Sequence, residues 1–179
     1  LYDGEWKDLI VRKIKLKVKI LGPLKWTFKR DIYKSIHGPV LKQPHGTYAI
    51  RYSGINDMRT LEQFYKMNKS KNMEEFKNAM KMQALPMYNT GYADKKGNIF
   101  YVYNALIPKR IKGYNWNGVL PGNTSKTLWT EYIKFQDLPQ TTNPSSGYFQ
   151  NCNANPYLAT GFPQEITSNG ITNDAGIET

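Results

Sequence analysis

Hydrophobic and polar residues alternate strictly along residues 14–20. Ile14, Leu16, Val18 and Ile20 take one side, and Lys15, Lys17 and Lys19 the other. A period of two is the mark of a half-buried β-strand. Gly22-Pro23 breaks the run, after which Leu24, Trp26 and Phe28 alternate with Lys25, Thr27 and Lys29. Two such runs about a Gly-Pro turn predict an antiparallel pair. Further extended runs follow over residues 32–41, interrupted by His37-Gly38-Pro39, and over residues 47–52. The period then changes. Leu61, Phe64 and Tyr65 recur at helical spacing after Thr60, a candidate N-cap, and Phe76, Ala79, Met80 and Gln83 do so after Asn72, a second one. Glu74 and Glu75 fall in that helix's first turn, where negative charge suits the helix dipole.

Strand signals return over residues 87–93 and 99–106, separated by the turn Asp94-Lys95-Lys96-Gly97. This is a β-hairpin with glycine where a positive φ is needed. Beyond Pro108 the chain is rich in Gly, Pro and Asn, with one short extended stretch at residues 147–152. The pattern therefore predicts an α+β protein. Its expected divisions are an antiparallel β-rich module at residues 1–56, a helical pair with strands and loops at 57–160, and a poorly structured tail at 161–179.

Composition narrows the function. With 40% hydrophobic and 22% charged residues, the chain has the make-up of a globular domain. No apolar run approaches the ~18 residues of a membrane helix, and no secretion signal is visible. The net charge of +11 invites a nucleic-acid reading, but ten Lys/Arg lie within residues 7–34 and none after Lys134. Lysines alternating along strands describe a solvated face better than a phosphate-binding surface. No nucleic-acid or membrane partner is expected.

Candidate chemistry is sparse. His37 and His45 flank a turn without further ligands at metal-binding spacing and read as structural. Cys152 lacks any reactive context and reads as a small buried residue. Amide density is the distinguishing feature: Asn143, Asn151, Asn153 and Asn155 lie in one loop-rich stretch. A carboxamide is a neutral donor able to stabilise a developing oxyanion, but it is equally a turn former that bonds its own backbone. The residues alone leave both readings open. A carbohydrate- or ligand-binding β-rich module is a further alternative, since aromatic residues make up 13% of the chain.

Asn89-Thr90-Gly91-Tyr92-Ala93-Asp94, Gly97-Asn98-Ile99 and Asn143-Pro144-Ser145-Ser146-Gly147-Tyr148, followed by Asn151-Cys152-Asn153, resemble in order and spacing the signatures of the penicillin acylases and acyl-homoserine-lactone acylases. Ile36-His37-Gly38-Pro39-Val40 resembles the family's upstream strand. These are N-terminal-nucleophile hydrolases. The resemblance implies a stretch of a four-layer αββα core in which a precursor cleaves itself and a new N-terminal Ser, absent here, attacks a linear N-acyl amide. It implies that Asn153 is the oxyanion donor and that Tyr88 contributes to the acyl pocket. It further implies no cofactor within this stretch, calcium only through acids that precede it, partnership with the remaining α- and β-chain segments of the parent, and a periplasmic or secreted location. By the same resemblance, this chain alone is inactive.

Overall fold

The computed structural model describes residues 1–85 and 87–167. They form two compact units, and the chain visits the first twice: Leu1–Tyr52 and then Val119–Leu128. The second comprises Ser53–Gly118 and the chain from Trp129.

The first unit is a four-stranded antiparallel sheet, β1 (Ile10–Leu21), β2 (Leu24–Lys34), β3 (Pro39–Gln43) and β4 (Gly46–Ala49), in sequential order. Its dominant feature is the long β1–β2 ribbon, turned at Gly22 with φ +53°. Leu16 pairs with Phe28 and Val18 with Trp26, so the apolar residues do share one side, and the lysines of both strands share the other. The expected burial does not follow. Leu16, Val18, Trp26 and Phe28 are all exposed, and Ile14 is only half covered. Alternation assigns a face; covering it needs a second layer, and a ribbon this thin does not provide one. Asp3 ties the returning segment to the N-terminus: its backbone N–H donates to the Asn123 carbonyl (2.9 Å), and its carboxylate accepts from Ser125 N–H (2.9 Å).

The second unit packs α1 (Thr60–Lys69) and α2 (Met73–Met80) with an antiparallel sheet of β5 (Met87–Ala93), β6 (Ile99–Ala105) and β7 (Gln140–Thr142). Asn72 caps α2 as its sequence predicts, accepting from Glu75 N–H at 2.9 Å, while Glu75 reaches back to Lys71 N–H at 2.9 Å. Thr60 is not a cap. Its hydroxyl donates to the Ala84 carbonyl (2.9 Å), and Arg59 precedes the helix without a side-chain cap. Phe76, Ala79 and Met80 of α2 meet Phe100 and Val102 of β6 in a core completed by Ile107, Ile133, Phe135 and Leu138.

The apolar stripe expected on α1 is reversed. Leu61 and Tyr65 are exposed, whereas Gln63 is fully buried. The Gln63 carboxamide oxygen accepts from Ala84 N–H (2.7 Å) and Leu85 N–H (3.1 Å). Its nitrogen donates to Asn104 Oδ1 (3.0 Å), and Asn104 in turn donates to the Met80 carbonyl (3.0 Å). This amide satisfies backbone groups in the irregular link after α2, which leucine cannot do.

The β5–β6 hairpin forms as predicted, in register from Met87↔Ala105 to Ala93↔Ile99, with Gly97 at φ +83°. The third strand, β7, lies in the Gly/Pro-rich region. Residues 147–152 form no strand. Part of the expected tail is packed: Gln140 and Thr167 exchange backbone hydrogen bonds (3.1 and 2.9 Å), and Ile166 is buried. Residues 168–179 of that tail lie outside the described residues.

Candidate functional site

The four asparagines turn out to have different occupations. Asn143, at φ +48°, is stitched to the hairpin: its Oδ1 accepts from Ile99 N–H (2.8 Å) and its N–H donates to the Ile99 carbonyl (3.0 Å). The hairpin turn is itself organised by Asp94, which accepts from Lys96 N–H (2.8 Å), Asn98 N–H (3.1 Å) and the Tyr92 hydroxyl (3.1 Å). Hydrogen bonding from the Asn98 side chain, ahead of the other contacts, holds the Asp94 carboxyl below its ordinary pKa. Asn151 Oδ1 accepts from Asn153 N–H (3.0 Å), and Asn155 Oδ1 accepts from Tyr157 N–H (2.9 Å), capping a short 3-10 turn at Pro156–Leu158. The carboxamides of Asn151 and Asn155 thus serve the turn-forming role, and that of Asn143 a cross-link between segments.

Asn153 differs. It is exposed, sits in the left-handed region at φ +57°, and its carboxamide makes no hydrogen bond to the described residues. The loop that carries it is closed at the neck by Gln150, whose N–H donates to the Ala159 carbonyl (2.7 Å) and whose side chain donates to the Leu158 carbonyl (2.7 Å). Phe149 anchors one side of the neck among Tyr101, Ala159 and Ile166. A loop closed at its neck thus presents at its tip a carboxamide that is engaged at neither its oxygen nor its nitrogen by the described residues. Cys152, beside it, is exposed rather than buried, because both tip residues lie beyond the packed neck.

Tyr88 stands elsewhere. Its half-exposed ring meets Phe64 of α1 edge-on at a centroid distance of 6.4 Å. Strand alternation groups it with Thr90 and Tyr92, and Tyr92 faces Phe76 of α2 (5.1 Å). Phe149 lies over Gly91, on the opposite side of β5. The described contacts of Tyr88 and those of the loop that carries Asn153 therefore fall on opposite sides of β5.

His37 is buried in the first unit against Tyr2 (6.1 Å), and burial lowers its pKa, with the Arg51 charge adding to the effect. Among the described residues no three of His, Cys, Asp or Glu converge to hold a metal ion. No helix among them is long and apolar enough to cross a membrane. Sequence reading missed Gly91, Phe149 and Gln150. Gly91 alone carried a signal, as a glycine inside a strand, where close approach of another group is the usual reason.

The penicillin amidase family model matches residues 1–174. The chain belongs to the penicillin amidase family. Penicillin G acylase of Escherichia coli is 29% identical over 160 residues, covering 87% of this chain and 18% of that protein. The acyl-homoserine lactone acylase PvdQ of Pseudomonas fluorescens (strain Pf0-1) is 27% identical over 116 residues, covering 60% of this chain and 15% of that protein. A thermostable penicillin G acylase from Alcaligenes faecalis superposes with a TM-score of 0.74 at 23% identity, covering 96% of this chain and 30% of that one. This penicillin amidase stretch therefore has part of the N-terminal-nucleophile hydrolase fold, with its antiparallel sheets and helices, and spans under a third of the solved acylase.

Proposed function

We propose that the chain is the oxyanion-binding stretch of an amidase that hydrolyses linear N-acyl amides of the penicillin or acyl-homoserine-lactone type, the nucleophilic Ser being supplied by another segment of the parent enzyme. The observation that carries the reading is the division of labour among the asparagines: the side-chain oxygens of Asn143, Asn151 and Asn155 are engaged by backbone N–H groups, whereas the carboxamide at the family's donor position, on a loop closed at its neck, makes no hydrogen bond to the described residues. Membership of the family supports it.

In this reading the Ser hydroxyl oxygen attacks the amide carbonyl while the α-amino group of the same Ser takes its proton. The carbonyl electrons move onto oxygen, and Asn153 Nδ2–H donates to that oxyanion. Collapse breaks the C–N bond, and the amine leaves with the proton held by the α-ammonium. Water then cleaves the acyl-Ser ester by the same sequence. Asn153 is neutral throughout, so it stabilises charge without adding a titration of its own; the pH profile belongs to the α-amine. Tyr88 takes a lesser part, as an aromatic wall for the acyl group beside Phe64. Calcium, where the parent binds it, belongs with acids of other segments, and the family resemblance favours an exported enzyme.

The test is Asn153→Ala in the complete, processed enzyme. Loss of one oxyanion donor lowers kcat by ~10²–10³-fold with KM little changed. An unaltered kcat sinks the assignment.

A further inference from the structure

Gly91 lies in the interior of β5, and its φ is not positive, so the backbone does not require glycine there. Space does. A Cβ at Gly91 would fall 2.5 Å from two ring carbons of Phe149, where carbon atoms need about 3.5–4.0 Å. The Phe149 ring also meets Tyr101, the cross-strand partner of Gly91, centroid to centroid at 5.9 Å with the planes tilted by 38°. Tyr101 is 1% exposed, and its hydroxyl donates to Asn89 Oδ1, which fixes the phenol in place. The next residue, Gln150, makes both bonds that close the Asn153 loop.

We propose that Gly91 and Tyr101 form a seat for Phe149 that sets the position of the Asn153 amide, making Gly91 and Phe149 positioning residues for the oxyanion donor. The inference rests on the Asn153 reading above and adds the device that holds the donor still. Glycine costs strand stability relative to residues with side chains, and here that cost is matched to a ring that needs the room. A methyl group at position 91 pushes the ring, and the loop neck with it, by about 1 Å; misplacement of that size typically costs ~10²-fold in rate. In this reading Phe149 acts through the loop neck and not on the substrate, so the effect falls on kcat rather than on substrate binding.

The experiment uses the complete, processed enzyme with a chromogenic N-acyl amide. Gly91→Ala is expected to lower kcat about 100-fold with KM within about threefold. The double variant Gly91→Ala/Phe149→Leu, with a smaller side chain on the seat, recovers at least about tenfold of that loss. Adding Asn153→Ala to Gly91→Ala costs far less than Asn153→Ala costs the native enzyme, because the donor is already out of place. If Asn153→Ala is damaging while Gly91→Ala leaves kcat within threefold, or if the two losses multiply in full, the seat is overturned and the oxyanion reading stands. If Asn153→Ala is harmless, the oxyanion reading itself falls and takes the seat with it. Should Gly91→Ala fail to fold or mature, Phe149→Leu alone carries the test: it lowers kcat and couples to Asn153→Ala in the same non-multiplying way, and an unchanged kcat overturns the proposal.

Discussion

The ribbon of the first unit and the helix-backed sheet of the second are both antiparallel, and differ in what their apolar residues meet. In β6, Phe100 and Val102 are fully buried against α2. In β1 and β2, Leu16, Val18, Trp26 and Phe28 line one side just as regularly and remain exposed. Alternation is a statement about direction, and burial is a statement about what lies in that direction. Lysines on the ribbon's other side disfavour edge-to-edge pairing with other molecules.

This contrast can be broken most severely at Phe100. Phe100→Ala removes a fully buried ring and should cost about 3–5 kcal/mol, read from guanidinium unfolding followed by circular dichroism. Gln63 comes next. Gln63→Leu preserves volume but strands the Ala84 and Leu85 N–H groups and Asn104, and should cost about 2–4 kcal/mol. A leucine that proved neutral would mean that α1 is held by packing after all. Leu16→Thr on the ribbon should change stability by no more than about 0.5 kcal/mol, because the site is already in water. A cost like that at Phe100 would show that the two regions are covered alike.

Acid distinguishes the two units more gently. His37, with a pKa lowered by burial from its ordinary 6.5, is neutral in the fold. The unfolded chain therefore binds the proton better. Stability is complete above pH 6.5 and falls as the pH drops through that value towards the lowered folded pKa. Hydrogen exchange at successive pH values should show β3 and β4 opening more readily on acidification and β5 and β6 not doing so. Replacement of His37 by Gln should flatten the response.

Much of this was legible in the chain. Asn72 with Glu75 announced a capped helix, and Asp94 through Gly97 announced a hairpin, because each signal is local and each residue bonds its near neighbours. The failures share a cause in distance. Gln63 is buried because of groups 21 and 22 residues away. Strand β7 forms by pairing with β6 about 40 residues away, and residues 119–128 return to bond Asp3. At the candidate site, family signatures pointed to Asn153, but only coordinates reveal the backbone partners of the Asn143, Asn151 and Asn155 oxygens and the ring seated on Gly91.

The twofold visit to the first unit has a practical outcome for anyone dissecting the protein. A cut after Tyr52 does not release a whole module: it strips Asn123 and Ser125 of their partner at Asp3 and leaves ten residues orphaned in the middle of the other piece. Clean separation calls for grafting, with the 119–128 segment joined to the N-terminal half and a linker joining Gly118 to Trp129.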